Sequence, residues 1–485
     1  MIADALTALG FTEINSQHGV PVAINTLPWQ RSEVVDLPDR KQGITTGSLG
    51  VSEIKPIIAA YVSSKPSVSV KEVETDVFVL ENAAFKVTIS GGVITSIYDI
   101  AASREVIPEG QKANQLVLFD DRPLYWQAWD VEVYHLDVRE ELNPHKTTVT
   151  EDSAYICSVT SETRISEKSS IRTTVSLRPV RPTRTSTIEV TADVIWHEDK
   201  KFLKVEFPVD IRNTNASYET QYGIIQRPTH YNTTWDMARF EVCCHKWADL
   251  SEAGYGVSIL NDCKYGFATQ GNVMRLSMLR APKAPDANAD MGRHFFKYAI
   301  FPHLGPLDHR TVRAGIELNN PIATPQRSLS DSFTSALALS GREHEQVKGN
   351  ADKALFPYTN LTSYIRRHPS PTTAAALLGS IRMSADSAPA IILDTMKRGE
   401  DDEDVSRREL PVRDGQSVII RLYDSLGGKC KGRVELGELA KRGKVKGVRV
   451  CNLLEDDGEK VEVKDGSFEV ALRAFEVKTF RIELE

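Results

Sequence analysis

Hydrophobic and polar residues alternate with a period of two along most of the chain after residue 69. The alternating runs are short, and turn-forming residues separate them, as at Gly91-Gly92. The apolar spacing typical of helices is nearly absent here, so the pattern predicts an all-β fold built on a large antiparallel β-sandwich. The runs predicted as strands are 77–82, 84–89, 93–99, 147–159, 171–177, 187–196, 202–211, 255–260 and 273–279.

The pattern on either side of this region predicts smaller units. A strand, a turn and a second strand are predicted within 20–37, and a serine-, threonine- and alanine-rich stretch breaks the strand rhythm after residue 328. The acidic run 400–404 is predicted to be a solvent-exposed loop. The predicted organisation is a helical remnant (1–17), a small β segment (18–68), the large β-sandwich (69–327), an irregular linker or insertion (328–384) and a C-terminal β-sandwich (385–485).

Composition excludes several classes of function. The 485 residues carry a formal net charge of −7 and no basic cluster with interleaved aromatics, which argues against nucleic-acid binding. No apolar run reaches the roughly 18 residues that a membrane-spanning helix needs. The N-terminus lacks the pattern of a signal peptide, and the six cysteines show neither zinc spacing nor a disulfide framework. We therefore expect a reduced, intracellular protein.

The densest candidate site is the stretch 114–135. A short apolar strand leads into the adjacent carboxylates Asp120 and Asp121, and an Arg-Pro turn then precedes an aromatic cluster that includes Trp126 and Trp129. Carboxylates beside aromatic rings are a common way to build a sugar site, because the ring packs on the apolar face of the sugar while the acid binds its hydroxyls.

A second interpretation of this stretch is purely structural. Alternation resumes after Asp130, which predicts a second strand over 131–135. The stretch would then be a strand, a turn and a strand, with the aromatics in the core and the two carboxylates capping the turn. Residue types alone leave both interpretations open.

The same stretch carries a family resemblance. The sequence NQLVLFDDRPLYWQAWDVEVYH resembles the C-terminal half of glycoside hydrolase family 38 α-mannosidases, in their cytosolic and vacuolar branch. The segments AINTLPWQRSEVVDLP and RAFEVKTFRIEL are also similar to that family. The resemblance implies a galactose-mutarotase-like β-sandwich, a cytoplasmic or vacuolar location, and hydrolysis of terminal α-D-mannose from oligomannose glycans.

A second polar and aromatic cluster, 226–249, has the composition of a loop surface that meets a ligand or a partner, or of long structured loops with satisfied polar groups. It too resembles the family, as does the region around Arg280. In family 38 an arginine at about this position reaches the catalytic pocket from a sandwich loop and binds substrate. The candidate substrate-binding residues are therefore Arg280, Asp120, Asp121, Trp126 and Trp129.

The resemblance places the reaction chemistry outside this chain. Retaining glycoside hydrolysis needs two carboxylates, and the family adds a zinc ion. The resemblance assigns the zinc ligands and both carboxylates to an N-terminal domain that precedes the first residue. We therefore expect no catalytic residue and no metal ligand here, with zinc bound only in the full-length enzyme. The two His-x-Asp spacings, 135–137 and 197–199, are interpreted as coincidences.

Three functions stay open at this point. The chain is the C-terminal part of an α-mannosidase that is inactive alone, or it is a non-catalytic carbohydrate-binding or scaffolding module. A weaker possibility is a lyase or epimerase, whose His/Glu base pair is not identifiable. The expected partners are a mannose-containing oligosaccharide and the missing catalytic domain or a homo-oligomer partner. An exposed apolar face would favour the first function, and an enclosed pocket around the tryptophans would favour the second.

Overall fold

A computed structural model describes the chain at residues 22–35, 44–45, 54–56, 67–180, 186–322, 381–402, 405 and 412–485. The predicted helical remnant and most of the predicted linker lie outside these ranges. Within them, no helix is both long enough and apolar enough to cross a membrane.

The chain forms two compact units, of which one comprises 62–321 and the other combines 1–61 with 322–485. The N-terminal part of the second unit contributes two antiparallel strand pairs, β1 with β4 and β2 with β3. These strands are β1 (Val22–Ile24), β2 (Val34–Val35), β3 (Ile44–Thr45) and β4 (Ile54–Pro56).

The described residues of the unit 62–321 form three antiparallel sheets. Their strand orders are β5-β6-β7-β8-β9, β11-β10-β16-β23-β22-β19 and β12-β13-β14-β15-β24-β21-β20-β17-β18. The strands are β5 (Val68–Glu74), β6 (Val77–Asn82), β7 (Phe85–Ser90), β8 (Val93–Asp99), β9 (Arg104–Glu105), β10 (Gln115–Asp120), β11 (Arg139–Leu142), β12 (Lys146–Asp152), β13 (Cys157–Arg164), β14 (Ser170–Leu177), β15 (Ile188–Trp196), β16 (Lys201–Pro208), β17 (Asn215–Thr220), β18 (Gly223–Pro228), β19 (Val242–Cys243), β20 (Trp247–Ser251), β21 (Tyr255–Asn261), β22 (Gly266–Gln270), β23 (Val273–Arg280) and β24 (Gly292–Leu304).

Period-two alternation explains how these sheets build one core. Along β15, the apolar residues Ile188, Val190, Ala192 and Val194 are buried while the residues between them are half-buried. Successive side chains of a strand point to opposite faces, so such a strand buries one complete face. The inward faces of all three sheets join in a single hydrophobic cluster. The predicted all-β fold with a large antiparallel sandwich is confirmed.

Several elements of this unit differ from the sequence prediction. The run 147–159, predicted as one strand, is divided by a turn between β12 and β13. The second strand predicted over 131–135 is wrong, because the chain forms a 3-10 helix at Val133–Asp137. Leu136 of this helix and Val131 just before it pack on a small apolar cluster of the six-stranded sheet, formed by Val117, Phe119 and Phe202. The helix α2 (His309–Asn319) was not predicted, although Asp308 caps its first turn. A shorter helix, α1 (Thr234–Met237), lies in the loop before β19.

The C-terminal part of the second unit is a small sandwich around its own core. A three-stranded sheet has the order β25-β28-β31, and a five-stranded sheet has the order β26-β27-β32-β29-β30. Its elements are β25 (Arg382–Met383), β26 (Ile391–Arg398), β27 (Gln416–Asp424), β28 (Cys430–Glu435), α3 (Gly437–Lys441), β29 (Val445–Cys451), β30 (Asp457–Val461), β31 (Ser467–Leu472) and β32 (Val477–Leu484).

The predicted exposure of the acidic run 400–404 is wrong for Asp402, which is fully buried. Its carboxylate accepts hydrogen bonds from the Ser417 backbone N–H at 2.7 Å and from the Arg398 guanidinium at 2.9 Å. Buried arginines supply the countercharge that the local sequence does not reveal, so a run that resembles a solvated loop forms an internal ionic network.

Candidate functional site

Three strands of the six-stranded sheet bring the predicted site residues to one end of that sheet. Asp120 of β10 pairs with Lys201 of β16, and Phe202 of β16 pairs with Arg280 of β23. Because β10 and β23 are both antiparallel to β16, they run in the same direction and both end here. The loops that follow these two strands therefore leave the sheet close together, and the 121–131 loop carries the aromatic cluster. We call this segment the aromatic loop.

Arg280 attaches the aromatic loop to the sheet. Its Nε donates to Asp121 Oδ2 at 2.7 Å, and its Nη2 donates to Asp121 Oδ1 at 3.0 Å. Nη2 also donates to the carbonyl oxygens of Gln127 (2.9 Å) and Asp130 (2.7 Å). Within the described part of the chain, Nη1 donates to no protein acceptor, and the side chain is 18% exposed. One amino group of this guanidinium is therefore available to a ligand oxygen.

The aromatic loop holds two tryptophan rings in solvent. Trp126 has a left-handed backbone (φ 51°), and its carbonyl oxygen accepts from the N–H groups of Trp129 (2.8 Å) and Asp130 (2.9 Å). The two indole rings meet edge to face, with centroids 6.2 Å apart and planes at 86°. Trp126 is 70% exposed and Trp129 68%, and their neighbours Leu124 and Tyr125 are exposed as well. A hydrogen-bonded turn thus presents apolar rings that the core does not use.

The adjacent carboxylates occupy different environments. Asp120 forms an ion pair with Lys201 at 2.5 Å, and both side chains remain 32% exposed. Asp121 is 2% exposed, and both of its oxygens accept from Arg280. The sheet therefore brings Arg280 and Asp121 into direct contact. The substrate-binding role assigned to these residues and to the two tryptophans stays a prediction.

A buried ion pair lies on the same face of the sheet, beneath the segments that cover it. The side chain of Lys204 is fully buried, and its Nζ is 2.5 Å from Glu241 Oε2 and 4.1 Å from the centre of the Phe202 ring. Burial lowers the pKa of Lys204, and the attraction of Glu241 opposes that shift. Glu241 also accepts a hydrogen bond from Ser277. This pair joins the chain before β19 to the centre of the sheet.

His135 packs in the same layer, between the sheet and its covering segments. Its ring lies 5.2 Å from that of Phe119 and 5.6 Å from that of Phe202, centre to centre. Nδ1 donates to the Glu132 carbonyl oxygen at 2.7 Å, while the buried Nε2 has no protein partner. Burial lowers the pKa of His135 to about 4, with a contribution from the positive charge of Lys204. The ring is therefore neutral at pH 7.

Sequence reasoning did not identify Lys204, and it did not predict that His135 of the stretch 114–135 and Glu241 of the cluster 226–249 would lie beside it. Lys204 alternates with apolar residues in β16, which is the pattern of a residue on a solvent face. The face is instead covered by residues 131–138 and by the segment that ends at Glu241. The available sequence signal for this covered face was the charged residue Lys204 in β16 together with the polar cluster 226–249.

The described residues do not fit the zinc ion that the resemblance implies for the full-length enzyme. Across the described ranges, no group of three or more His, Cys, Asp or Glu side chains is placed to hold a metal ion. Of the two His-x-Asp spacings, the one at 135–137 begins with a buried imidazole whose Nδ1 is bound to a backbone carbonyl.

Two family models match the chain. The model described as "Glycosyl hydrolases family 38 C-terminal domain" matches residues 80–288, and that described as "Glycosyl hydrolases family 38 C-terminal beta sandwich domain" matches residues 390–480. Together they cover more than half of the 485 residues.

Several curated relatives are similar over most of this chain. The "Alpha-mannosidase" of Saccharomyces cerevisiae is 40% identical over 423 residues, which are 84% of this chain and 35% of that protein. "Alpha-mannosidase 2C1" of Homo sapiens is 35% identical over 477 residues, which are 95% of this chain and 39% of that protein. This chain therefore spans only 35% to 39% of the length of these two relatives.

Solved structures share the fold. The crystal structure of an alpha-mannosidase from Enterococcus faecalis superposes with a TM-score of 0.59 at 14% identity, over 96% of this chain and 50% of that one. A second Enterococcus faecalis protein, described as belonging to glycosyl hydrolase family 38, gives a TM-score of 0.58 at 13% identity. This second superposition covers 98% of this chain and 54% of the Enterococcus faecalis chain. At such identities the likeness concerns the fold alone.

Proposed function

This chain belongs to glycoside hydrolase family 38, of which it carries C-terminal β domains, and from this premise we propose that it forms part of an α-mannosidase. The proposed reaction of the complete enzyme is hydrolysis of terminal α-D-mannose from oligomannose glycans. The names of the yeast and human relatives support this class of substrate. The proposed location is the cytoplasm or the vacuole, after the branch that residues 114–135 resemble.

In this proposal the chain acts with a catalytic domain and is inactive without it. The family resemblance assigns the zinc ligands and both catalytic carboxylates to a domain outside the matched residues. The catalytic domain is therefore the proposed protein partner, and a homo-oligomer is the alternative arrangement. The role left to the β domains is to shape and complete the surface on which the glycan binds.

The observation that carries this role is the arrangement around Arg280. Two hydrogen bonds to Asp121 and two to backbone carbonyl groups fix the guanidinium, and within the described residues Nη1 has no protein acceptor. A fixed cation with one free amino group suits a sugar hydroxyl, and exposed indole rings suit the apolar face of a pyranose. The proposed contacts are therefore Arg280 with a hydroxyl, and Trp126 or Trp129 with a sugar face.

The independent carbohydrate-binding module is the weaker candidate. Rings that enclose a ligand in a pocket of their own would be largely shielded from solvent. Trp126 and Trp129 are each exposed by about two thirds, and Asp121 is occupied by Arg280. This open apolar surface favours a β region that works against another part of the enzyme.

Mannose titration of the purified chain tests the proposed sugar contacts. We expect calorimetry or saturation-transfer NMR to detect mannose binding that at least one of the variants Trp126→Ala and Trp129→Ala weakens. The matched control is Phe295→Ala, which removes another exposed ring, 65% exposed, from the nine-stranded sheet. Equal binding by wild type and both tryptophan variants would contradict the proposed contacts.

A further inference from the structure

A second segment, residues 229–241, lies on the six-stranded sheet and is fixed at both ends. At its start, the Thr229 hydroxyl donates to the Asn213 carbonyl oxygen at 2.6 Å, and the Gly271 N–H donates to the Thr229 carbonyl oxygen at 2.7 Å. At its end, Glu241 binds the buried Lys204 at 2.5 Å. We call residues 229–241 the Trp235 segment. Both anchors are interactions with the body of the sandwich, so the segment has a defined position.

The middle of the Trp235 segment presents a third exposed tryptophan. Thr233 and Asp236 form a reciprocal capping box around α1, in which the Asp236 N–H donates to Thr233 Oγ1 at 3.2 Å. Trp235 lies between them and is 79% exposed. Within the described residues, the side chains of Asn232 and Arg239 have no protein partner. An exposed ring thus stands between a free amide and a free guanidinium.

The Trp235 segment and the aromatic loop meet on the same face of the sheet. The ring of Phe240, next to Glu241, lies 5.9 Å from the ring of His135, centre to centre. His135 belongs to the 3-10 helix that follows the aromatic loop. Lys204, which binds Glu241, also lies over the face that carries Phe119 and Phe202. The two segments are therefore neighbours in a single layer.

We propose that the Trp235 segment extends the sugar-binding surface of the aromatic loop, with Trp235 as a further sugar-contacting residue and an oligosaccharide as the ligand. This inference rests on the proposed function. The rings of Trp126 and Trp129 stand at 86° to each other, so both cannot lie flat on the same sugar face. A third ring on a separate segment is of use only to a ligand with further sugar units, whose hydroxyls Asn232 and Arg239 can bind.

The test compares a long ligand with a short one on the 485-residue chain. Calorimetric titrations with mannose and with an α-linked mannohexaose are made on wild type and on Trp235→Ala. Arg239→Ala is a second variant on the same segment, and Phe295→Ala is the control for loss of an exposed ring. All three side chains are exposed, so their removal leaves the core unchanged.

We expect mannohexaose to bind wild type more tightly than mannose does. Trp235→Ala should weaken mannohexaose binding about tenfold and Arg239→Ala severalfold, with mannose affinity unchanged in both. Phe295→Ala should bind both ligands as wild type does.

Two results overturn the inference, and only the second also overturns the proposed sugar contacts of the aromatic loop. If mannose binding depends on Trp126 while Trp235→Ala binds mannohexaose as wild type does, only the extension by the Trp235 segment fails. If wild type binds neither sugar, the proposed contacts of the aromatic loop fail together with the extension.

Discussion

At the scale of single residues, the neighbours Asp120 and Asp121 show how context separates two identical side chains. Asp120 shares an exposed ion pair with Lys201, which solvent screens. Asp121 is buried against Arg280, and the contact between the two side chains takes the place of the water that would otherwise solvate the carboxylate. The buried pair therefore fixes the position of the aromatic loop, while the exposed pair contributes little to stability.

This difference predicts unequal effects of the same substitution. Asp121→Asn should lower the free energy of unfolding by about 2 kcal/mol, because it leaves the partly buried Arg280 guanidinium without its countercharge. Asp120→Asn, one position away, should lower it by less than about 1 kcal/mol. Thermal unfolding of the two variants beside wild type measures both. Equal losses would contradict the structural role given to the Arg280–Asp121 pair.

His135 makes the stability of the protein depend on pH. Its pKa is lowered from 6.5 to about 4, first by burial and then by the charge of Lys204. Between these two values the unfolded chain binds a proton that the folded chain does not. The stabilising contribution is therefore complete above about pH 6.5 and is lost as the pH falls towards 4, at most roughly 3 kcal/mol.

The variant His135→Phe isolates this effect. A phenyl ring retains the stacking on Phe119 and Phe202 but cannot take up a proton. We expect the free energy of unfolding of wild type to fall more steeply than that of the variant between pH 6.5 and 4, as measured by urea unfolding at fixed salt. Parallel pH profiles would show that His135 does not titrate as described.

At the scale of elements, local alternation predicted many strands of the large sandwich but not the segments that cover them. Strands such as β6, β8, β14 and β15 follow the predicted runs within two residues, because a strand that buries one face must alternate. The turn at Val133–Asp137 alternates too, yet its apolar residues are set by long-range packing on Phe119. The candidate site could be predicted only in part. Trp126 and Trp129 stand out in the sequence by residue type. The contact of Arg280 with Asp121 depends on the registers in which β10 and β23 pair with β16, which the sequence pattern does not reveal.

The strand β21 contains a glycine whose absence of a side chain is required by packing. A methyl group at Gly256 would clash with the ring of His303 and with the Ser251 hydroxyl. His303 cannot move away easily, because its Nε2 is 2.8 Å from the buried Asp249 carboxylate, which also accepts from Ser258 at 2.7 Å. The close approach of these two side chains to the backbone of β21, and not a turn, explains the glycine at this position.

Gly256→Ala should therefore lower the free energy of unfolding by at least about 2 kcal/mol, through overpacking of the buried His303–Asp249 pair. The matched control is Gly254→Ala, two residues away, where an added methyl group meets no atom within 4 Å. Chemical denaturation of both variants provides the comparison. A Gly256→Ala protein as stable as the Gly254→Ala protein would contradict the packing around His303.

At the scale of the whole molecule, the two compact units have separate cores, and each carries one matched family 38 domain. The sequence comparisons show the family and the solved structures share the fold, and in the described residues of the two units no group of three or more His, Cys, Asp or Glu side chains is placed to hold a metal ion. In the proposed function, the exposed tryptophans and the fixed Arg280 of the large sandwich form a surface for a glycan. In that proposal this chain binds and positions the glycan, and a catalytic domain cleaves the glycosidic bond.

Hydrolysis of p-nitrophenyl α-D-mannoside by the purified 485-residue chain, with zinc or cobalt added, tests this division most directly. The account predicts no release of p-nitrophenol above the uncatalysed rate with either metal, from a chain whose unfolding transition shows that it is folded. Metal-dependent turnover that copurifies with the chain, and that a chelator abolishes, would place the catalytic groups within these residues and contradict the account.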